Sequence, residues 1–371
     1  MEAISELTAI LHEYFPWNKA RLDCLVKMIF AMLTVQTVNM VLIANALFGE
    51  ASQESHYRRL QRFISWLATF EASAQRLLAP LILGILNLGK TDTLLYVAVD
   101  RTNWKFGKIH INLLVIGVRY HGVNIPLVWT SLGKAGSSSM QDRISLMKRL
   151  LKCLGETPFV LTADREFIGD EWFHFLAKKQ IPFVIRIKGN THVTRPGSSH
   201  SVPASQLFKR LKNGKKQALE GLHGVLGLSV FIAAGRNEKG ELLIVVSNQF
   251  CRRALKEYMK RWGIECLFSC LKSRGFSFED THLTDKGRIS AIFFILVIVT
   301  AWTIRAGINM RKQLPIKTAS HGRKRKSFFR RGLDALHRQI LHLGSYLEGF
   351  MRFLKLIPRK SQLRRAYEQA F

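Results

Sequence analysis

The chain has 371 residues, 47% of them hydrophobic, which is enough apolar material for a packed core and too much for a disordered protein. Lysine and arginine number 56 against 26 aspartates and glutamates, so the formal net charge is +30 at pH 7. This excess favours a polyanionic partner, although membrane-surface and ribosome-associated proteins are also basic. The cysteines, five in number, have no zinc-binding spacing and indicate reduced thiols in a cytoplasmic protein.

Other classes of protein are disfavoured by missing patterns. The N-terminal sequence has no basic segment followed by an apolar stretch, so we expect no signal peptide. The longest apolar run, residues 291–302, is too short to span a bilayer and predicts a buried helix, so we expect no membrane partner. No GxxxxGK[ST] loop is present, so we expect no nucleotide cofactor.

Residues 1–90 are predicted to be helical. Within them, residues 34–48 are predicted to form one helix that ends at Gly49, and residues 52–55 offer caps for the next helix at 56–70. That second helix carries Arg58, Arg59 and Arg62. A helix, a short turn and a basic helix are typical of DNA-binding proteins, but an ordinary helical hairpin with surface arginines has the same pattern.

The pattern changes at about residue 92 to alternating strands and helices. The near-continuous apolar run 94–99 predicts a central buried strand. Two further strands joined at residues 120–122 predict a hairpin, and single helices then separate two more strands. The predicted order is strand 94–99, strand 110–118, strand 123–130, helix 140–154, strand 159–163, helix 171–179 and strand 181–187.

This order resembles a ribonuclease-H-like core, in which the last catalytic carboxylate lies on a helix after the sheet. In this chain about 60 residues, 189–250, come before that helix, and strand patterns at 228–234 and 241–247 predict a mostly β insertion. A helix at 285–308, a basic stretch from Arg311 to Arg331 and a helical segment at 333–354 complete the chain. We therefore expect an α/β fold with a mixed sheet, flanked by helical terminal regions.

Three acidic residues occupy the positions where such a core carries its active site. Asp100 ends the strand 94–99, Asp164 ends the strand 159–163, and Glu265 lies in the later helix. Three carboxylates that meet at strand ends form a two-metal site for phosphoryl transfer. Asp92 competes with Asp100 but precedes its strand, and Glu166 competes with Asp164 but falls two residues beyond it.

The segment around Glu265 has a polar stripe. On a helical wheel Tyr258, Arg261, Glu265 and Lys272 fall within about 60°, apart from an apolar face. A solvated charged face has the same appearance. The mixture of a tyrosine, a carboxylate and two cations nevertheless suits a site for metal and phosphate. The apolar face is formed by Ile264, Leu267 and Leu271.

The spacing Tyr258-x2-Arg261-x3-Glu265-x6-Lys272 resembles the signature of a large group of bacterial DDE insertion-sequence transposases. The resemblance covers about residues 90–310. Three further segments resemble the same family, namely Asp100-Arg101-Thr102-Asn103-Trp104, Ala163-Asp164-Arg165-Glu166-Phe167 and Glu279-Asp280-Thr281-His282-Leu283-Thr284-Asp285.

The resemblance implies roles for the site residues. Asp100, Asp164 and Glu265 are expected to hold two Mg²⁺ ions, with Mn²⁺ as a substitute. The signature residues Tyr258, Arg261 and Lys272 are expected to contact DNA phosphates, or alternatively to pair with Glu265. Three further residues have weaker support. Trp262 is expected either to stack on a flipped base or to be a core tryptophan, and Arg186 and Lys188 are further candidates to reach DNA.

The resemblance also implies an activity and a domain organisation. The chain is expected to bind the terminal inverted repeats of its element as a homodimer on double-stranded DNA, to cleave the ends and to join the 3′ ends to target DNA, in a bacterial cytoplasm and on the nucleoid. The expected domains are a DNA-binding region at 1–90, a catalytic domain at 91–310 and a basic helical region at 311–371. Two alternatives remain, a catalytically inactive or domesticated DNA-binding protein and a different ribonuclease-H-like nuclease.

Overall fold

The computed structural model describes residues 2–88, 93–311, 315 and 325–363. The chain divides by compactness into two units. The sheet unit comprises Thr91–Thr102 and Leu113–Cys266, and the helical unit comprises Met1–Lys90, Asn103–Asn112 and Leu267–Phe371. The predicted domain boundaries at 90 and 310 remain a proposal about functional regions, since this division groups the two ends of the chain together.

A large mixed sheet is built on five strands in the order β3-β2-β1-β4-β5. β1 is parallel to β4, β4 is parallel to β5, and β2 is antiparallel to β3. This is the ribonuclease-H-like arrangement predicted from the order of elements, and the predicted fold class is confirmed. The strands are β1 Leu95–Phe106, β2 Ile109–Tyr120, β3 Val123–Ser131, β4 Phe159–Ala163 and β5 Phe183–Ile187.

The central strand β4 is buried along its whole length, as its continuous apolar sequence predicts. Helix α6, Met140–Leu154, packs against β3 and against α7, Asp170–Lys178. Ser139 and Asp142 form a capping box at the start of α6 and so satisfy backbone amides that have no partner within the helix. The predicted bounds of α6 agree with those observed.

The insertion extends the core sheet. Its strand β11 pairs antiparallel with β5, and β10 pairs antiparallel with β11. The positions of β10 and β11 along the chain were predicted. The sequence did not indicate that they would continue the same sheet. The insertion contains β6 His192–Thr194, β7 Ser201–Pro203, α8 Ala204–Leu207, β8 Lys216–Ala218, β9 His223–Val225, β10 Leu228–Arg236 and β11 Leu242–Ser247.

The segment that carries the signature residues is divided. It consists of α9, Ala254–Tyr258, a 3₁₀ turn, Met259–Trp262, and α10, Gly263–Leu271. The prediction of one uninterrupted helical stripe is wrong, because a 3₁₀ turn rotates successive residues by about 120° instead of 100°. Gly263 lies where the turn meets β3, and a Cβ on it would lie 2.2 Å from the Asn124 side-chain oxygen.

Helices form most of the helical unit, as predicted for both ends of the chain. One predicted helix, residues 34–48, is wrong: α2 ends at Val35, Gln36 adopts a left-handed conformation with φ 51°, and Asn39 caps a short α3. Ser52 caps α4, as expected. The helices before the sheet are α1 Glu2–Tyr14, α2 Lys19–Val35, α3 Met40–Asn45, α4 Gln53–Ala68 and α5 Glu71–Leu86.

Helix α11, Lys286–Asn309, is the core of the helical unit and packs against α2, α4, α5 and α12. It is long and apolar enough to cross a membrane by length and composition, but most of it is buried among its neighbours. The close crossing with α12 depends on two glycines, because a Cβ on Gly332 would lie 1.8 Å from the Thr303 carbonyl oxygen, and one on Gly307 would lie 1.9 Å from that of Phe328.

The predicted helix at 333–354 is observed as two helices, α12 Phe328–Leu341 and α13 Leu343–Leu354, which are separated at His342. Two predictions fall wholly or partly outside the described residues. Asp92, the alternative first acid, is one of them. Much of the basic stretch, residues 312–314 and 316–324, is the other.

Candidate active site

Two predicted acids lie side by side where the parallel pairing of β1 with β4 ends. The register pairs Val99 with Ala163, so the residues that follow them, Asp100 and Asp164, occupy equivalent positions on adjacent strands. The third acid, Glu265, lies in the first turn of α10. The sheet unit therefore supplies all three predicted carboxylates. The prediction that Asp100 ends its strand is wrong, because β1 continues through Asp100 to Phe106.

Arg261 joins the three carboxylates. Its guanidinium donates to Asp100 Oδ2 at 2.7 Å and to Glu265 Oε1 at 2.5 Å. It lies 3.9 Å from Asp164 Oδ2. The Arg261 side chain is only 9% exposed, so these contacts are poorly screened by water. One buried cation is thus the common partner of the three predicted acids.

The environment shifts the pKa of both Asp100 and Arg261. Burial raises the pKa of Asp100 above the usual range of an aspartate, although the Arg261 guanidinium and the Arg101 amide oppose this. Burial alone would lower the pKa of Arg261, but the charge of Asp100 and of the other neighbouring acids outweighs it and raises that pKa. Arg261 therefore remains a cation at any pH at which the protein is folded.

Asp164 has two further partners from elements beside it. The Tyr258 hydroxyl donates to Asp164 Oδ1 at 3.2 Å, and Arg186 Nη1 lies 3.5 Å from the same oxygen. The Tyr258 ring is buried in a core cluster with Val160 and Val184, and burial raises the pKa of its hydroxyl. Tyr258 is therefore fixed in position with its hydroxyl at the acids.

The remaining predicted DNA-contacting residues of the sheet unit are exposed. Trp262 is 61% exposed, so the alternative of a core tryptophan does not hold. Lys188 is also exposed and directly follows β5, which ends at Ile187. Base stacking by Trp262 and DNA contact by Lys188 remain predictions.

Lys272, the last signature residue, belongs to the helical unit and follows the final residue of α10. Its ammonium group lies 2.7 Å from Glu279 Oε1 and donates to the Asn103 carbonyl oxygen at 3.2 Å. It also lies 5.6 Å from the centre of the Trp104 ring. The pairing expected as the alternative to phosphate contact thus occurs, but with Glu279 and not with Glu265.

The donor set of the site suits a hard divalent cation, since it consists of carboxylates that converge on one positive group. Arg261 marks the place where the three acids share a cation. In the described part of the chain, no three His, Cys, Asp or Glu side chains are grouped closely enough to hold an ion directly. The residues therefore suit a divalent metal by the chemistry of their oxygens, while in this structure the Arg261 guanidinium sets their spacing.

Two sets of ion pairs near the acids were not predicted from the sequence. Arg101 and Glu166 flank the two aspartates and form a two-bond ion pair. Glu257, one residue before Tyr258, is fully buried and pairs with Lys260 and Arg253. The available signals were a cation directly after Asp100, an acid two residues after Asp164, and a lone acid between cations.

Comparison with known proteins bears on these residues. The model of the family described as Transposase DDE domain matches residues 97–302, which is more than half of the chain. No curated protein matches. A similar solved structure is the cryo-EM structure of a piggyBac transposase synaptic complex with hairpin DNA, with a TM-score of 0.45 and 11% identity over 99% of this chain and 82% of that chain. By the match to more than half of its length, this chain belongs to the DDE transposase domain family.

Proposed function

We propose that the chain cleaves DNA at the ends of an insertion sequence and joins the 3′ ends to target DNA. The observation that carries the proposal is the convergence of Asp100, Asp164 and Glu265 on the single buried cation of Arg261. A net charge of +30 supports DNA as the substrate. Membership of the transposase family supports the class of reaction.

Asp100, Asp164 and Glu265 are proposed to hold two Mg²⁺ ions, for which Mn²⁺ can substitute. When bound, such ions lower the pKa of an attacking hydroxyl and stabilise the charge on a leaving oxygen. Glu166 is less suited to the role of ligand, because both of its oxygens accept hydrogen bonds from Arg101. This supports Asp164 as the second acid.

The cationic and hydroxyl groups of the sheet unit are proposed to bind the phosphodiester. Tyr258, Arg186 and Arg261 all point at the carboxylates, so a phosphate placed there meets a hydroxyl and two guanidinium groups. Arginine suits this role because its planar fork matches two phosphate oxygens. Trp262, which is exposed, is available to stack on an unpaired base.

The first test is cleavage of a labelled duplex that carries the terminal repeat of the element, with Mg²⁺, by wild type and by Glu265→Gln. We expect nicking at the end by the wild type, and a loss of at least about a hundredfold in the variant, because one metal ligand is lost. Glu156→Gln is the matched control, since Glu156 is exposed in the same unit and the charge change is identical.

A different result selects a different function. If both proteins bind the end and neither cuts it with Mg²⁺ or Mn²⁺, the chain is an inactive or domesticated DNA-binding protein. If the wild type cuts duplexes without regard to the terminal repeat, a different ribonuclease-H-like nuclease is the better description.

Formation of a homodimer on DNA is part of the proposal and is measured by the mass of the complex with two labelled ends.

A further inference from the structure

Arg101 and Glu166 form an ion pair with well-matched geometry. Arg101 Nε donates to Glu166 Oε1 at 2.7 Å, and Nη2 donates to Oε2 at 2.8 Å, so both carboxylate oxygens are engaged. The two side chains are 16% and 30% exposed. A two-bond arginine–carboxylate pair that is mostly buried fixes orientation as well as distance, unlike an ordinary surface pair.

The pair lies just beyond the last paired residues of β1 and β4, next to the two acids. The parallel ladder between β1 and β4 has its last register pair at Val99 and Ala163. Asp100 and Asp164 lie one residue beyond it, where the ladder no longer fixes the distance between the two backbones. Arg101 follows Asp100 directly, and Glu166 follows Asp164 by two residues. The ion pair therefore joins the segments that follow the two acids.

The same side chain holds a neighbouring loop. Arg101 Nη1 donates to the Gly136 carbonyl oxygen at 2.5 Å, and Gly136 belongs to the loop before α6. The backbone amide that follows each acid contributes as well. Arg101 N donates to Asp100 Oδ1 at 2.8 Å and Arg165 N donates to Asp164 Oδ1 at 2.8 Å. Each acid is thus oriented by the backbone amide of the next residue, and the ion pair connects the two segments that carry the acids.

We infer that Arg101 and Glu166 are positioning residues that fix the separation of Asp100 and Asp164 and thereby set the metal affinity of the site. The inference rests on the proposed function, in which these two acids hold the metal. A metal site tolerates little variation in the distance between its ligands, and loss of an outer partner typically weakens metal binding by about 10–100-fold. Neither residue needs to touch metal or DNA for this role.

The test uses the full chain as wild type, Arg101→Gln, Glu166→Gln and the double variant. The Mg²⁺ concentration for half-maximal nicking is measured with the end duplex at saturation, and the affinity for Mn²⁺ alone is measured by calorimetry without DNA. We expect each single variant to raise the required Mg²⁺ and to weaken Mn²⁺ binding about tenfold. The KM for DNA and the melting temperature are expected to change little by comparison.

The double variant tests whether the residues act as a pair. If they do, removal of both costs no more metal affinity than removal of either one, because a single interaction is lost in each case. The charge-reversed pair, Arg101→Glu with Glu166→Arg, is expected to regain part of the affinity. Arg165→Gln is the matched control, because Arg165 lies between Asp164 and Glu166 in sequence, is exposed, and loses the same charge.

The outcomes separate this inference from the proposed function. If the wild type binds Mn²⁺ and nicks the end while the variants bind Mn²⁺ within twofold of it, the positioning role is wrong and the proposed function stands. If the wild type neither binds Mn²⁺ nor nicks, both are wrong. If Arg101→Gln fails to fold, Mn²⁺ affinity is compared for Glu166→Gln and Arg101→Lys instead. We expect Arg101→Lys to weaken Mn²⁺ binding, because a lysine cannot form the second hydrogen bond to Glu166.

Discussion

Each unit of the molecule contains an arginine that pairs with several carboxylates, and the two clusters differ in burial. In the sheet unit Arg261 contacts Asp100 and Glu265 and lies near Asp164, at 9% exposure. In such a position the charges are partly removed from water, and their attraction must offset the free energy of desolvation. The acids of this cluster come from the middle of β1, the residue after β4 and the first turn of α10.

The helical unit holds the other cluster, around Arg359. Its guanidinium contacts Glu6 at 2.9 Å and Glu13 at 3.2 Å, and its side chain is 39% exposed. Glu13 also accepts a hydrogen bond from the backbone amide of Ser361. These bonds fasten the C-terminal segment to α1, and water remains available to every group in the cluster.

The contrast indicates what each cluster is for. An exposed cluster like that of Arg359 contributes modestly to stability and tolerates replacement. A buried cluster like that of Arg261 contributes little net stability compared with apolar packing, yet loss of one partner leaves uncompensated charge. Stability alone therefore gives little reason for burying these acids beside a cation, which agrees with the proposed metal site.

Among substitutions in the two clusters, Arg261→Met is expected to change the free energy of unfolding most. Three carboxylates would then lose the cation that they share, with only Arg186 left near Asp164. We expect the free energy of unfolding without metal to fall by about 2–3 kcal/mol. Added Mg²⁺ should restore much of the loss, because a divalent ion replaces the missing positive charge. Urea unfolding, with and without Mg²⁺, measures both quantities.

Arg165→Met is the control for this experiment, because its side chain is exposed beside Asp164 in sequence. It should change stability by less than about 0.5 kcal/mol, and Mg²⁺ should not distinguish it from the wild type. If Arg261→Met is as stable as the control, or if its loss of stability does not respond to Mg²⁺, the three acids do not form a common cation site.

A smaller effect is expected at Glu257, a fully buried acid in the sheet unit whose neighbours Lys260 and Arg253 are cations. Burial opposes ionisation of Glu257, but the hydrogen bond and the charge of Lys260 prevail and lower its pKa. A lowered folded pKa contributes stability above the usual pKa of glutamate, and this is lost as the pH falls through the lowered value.

Glu257→Gln should therefore destabilise the chain by about 1–2 kcal/mol at neutral pH, and the difference from wild type should shrink as the pH falls below the usual pKa of glutamate. Urea unfolding at several pH values gives the result. Glu156→Gln, an exposed substitution of the same kind, should show no such trend. A difference that is equally large in acid would mean that Glu257 contributes by packing and not by charge.

The sequence was sufficient for features that depend on neighbouring residues. The order of strands along the chain, the hairpin at 120–122, the whole of α6 and the position of Asp164 just after β4 follow from local apolar patterns. The continuation of β1 past Asp100 to Phe106 does not, because its later residues are not a continuous apolar run. These patterns report burial directly, because a strand buried on both faces must be apolar throughout. The candidate acids could therefore be placed from the sequence with correct neighbours.

Features that depend on distant contacts could not be derived in this way. The 3₁₀ turn at Met259–Trp262 ends where Gly263 meets Asn124, which is far away in sequence. The pairing of β11 with β5 likewise depends on a register between segments separated by the whole insertion. The partner of Arg101 becomes evident only when β1 and β4 are aligned.

The smallest expected effect is that of Arg359→Gln in the exposed cluster of the helical unit. We expect a loss of about 0.5–1 kcal/mol at low salt, because exposed ion pairs contribute little and are screened by salt. The same urea unfolding at high salt should bring wild type and variant together, with exposed Lys355→Gln as the control for general charge effects. Arg261→Met should keep most of its deficit at high salt, since its cluster is largely shielded from water. Equal salt dependence of the two arginines would show that burial does not distinguish the clusters, and the argument from burial to a functional site would then be lost.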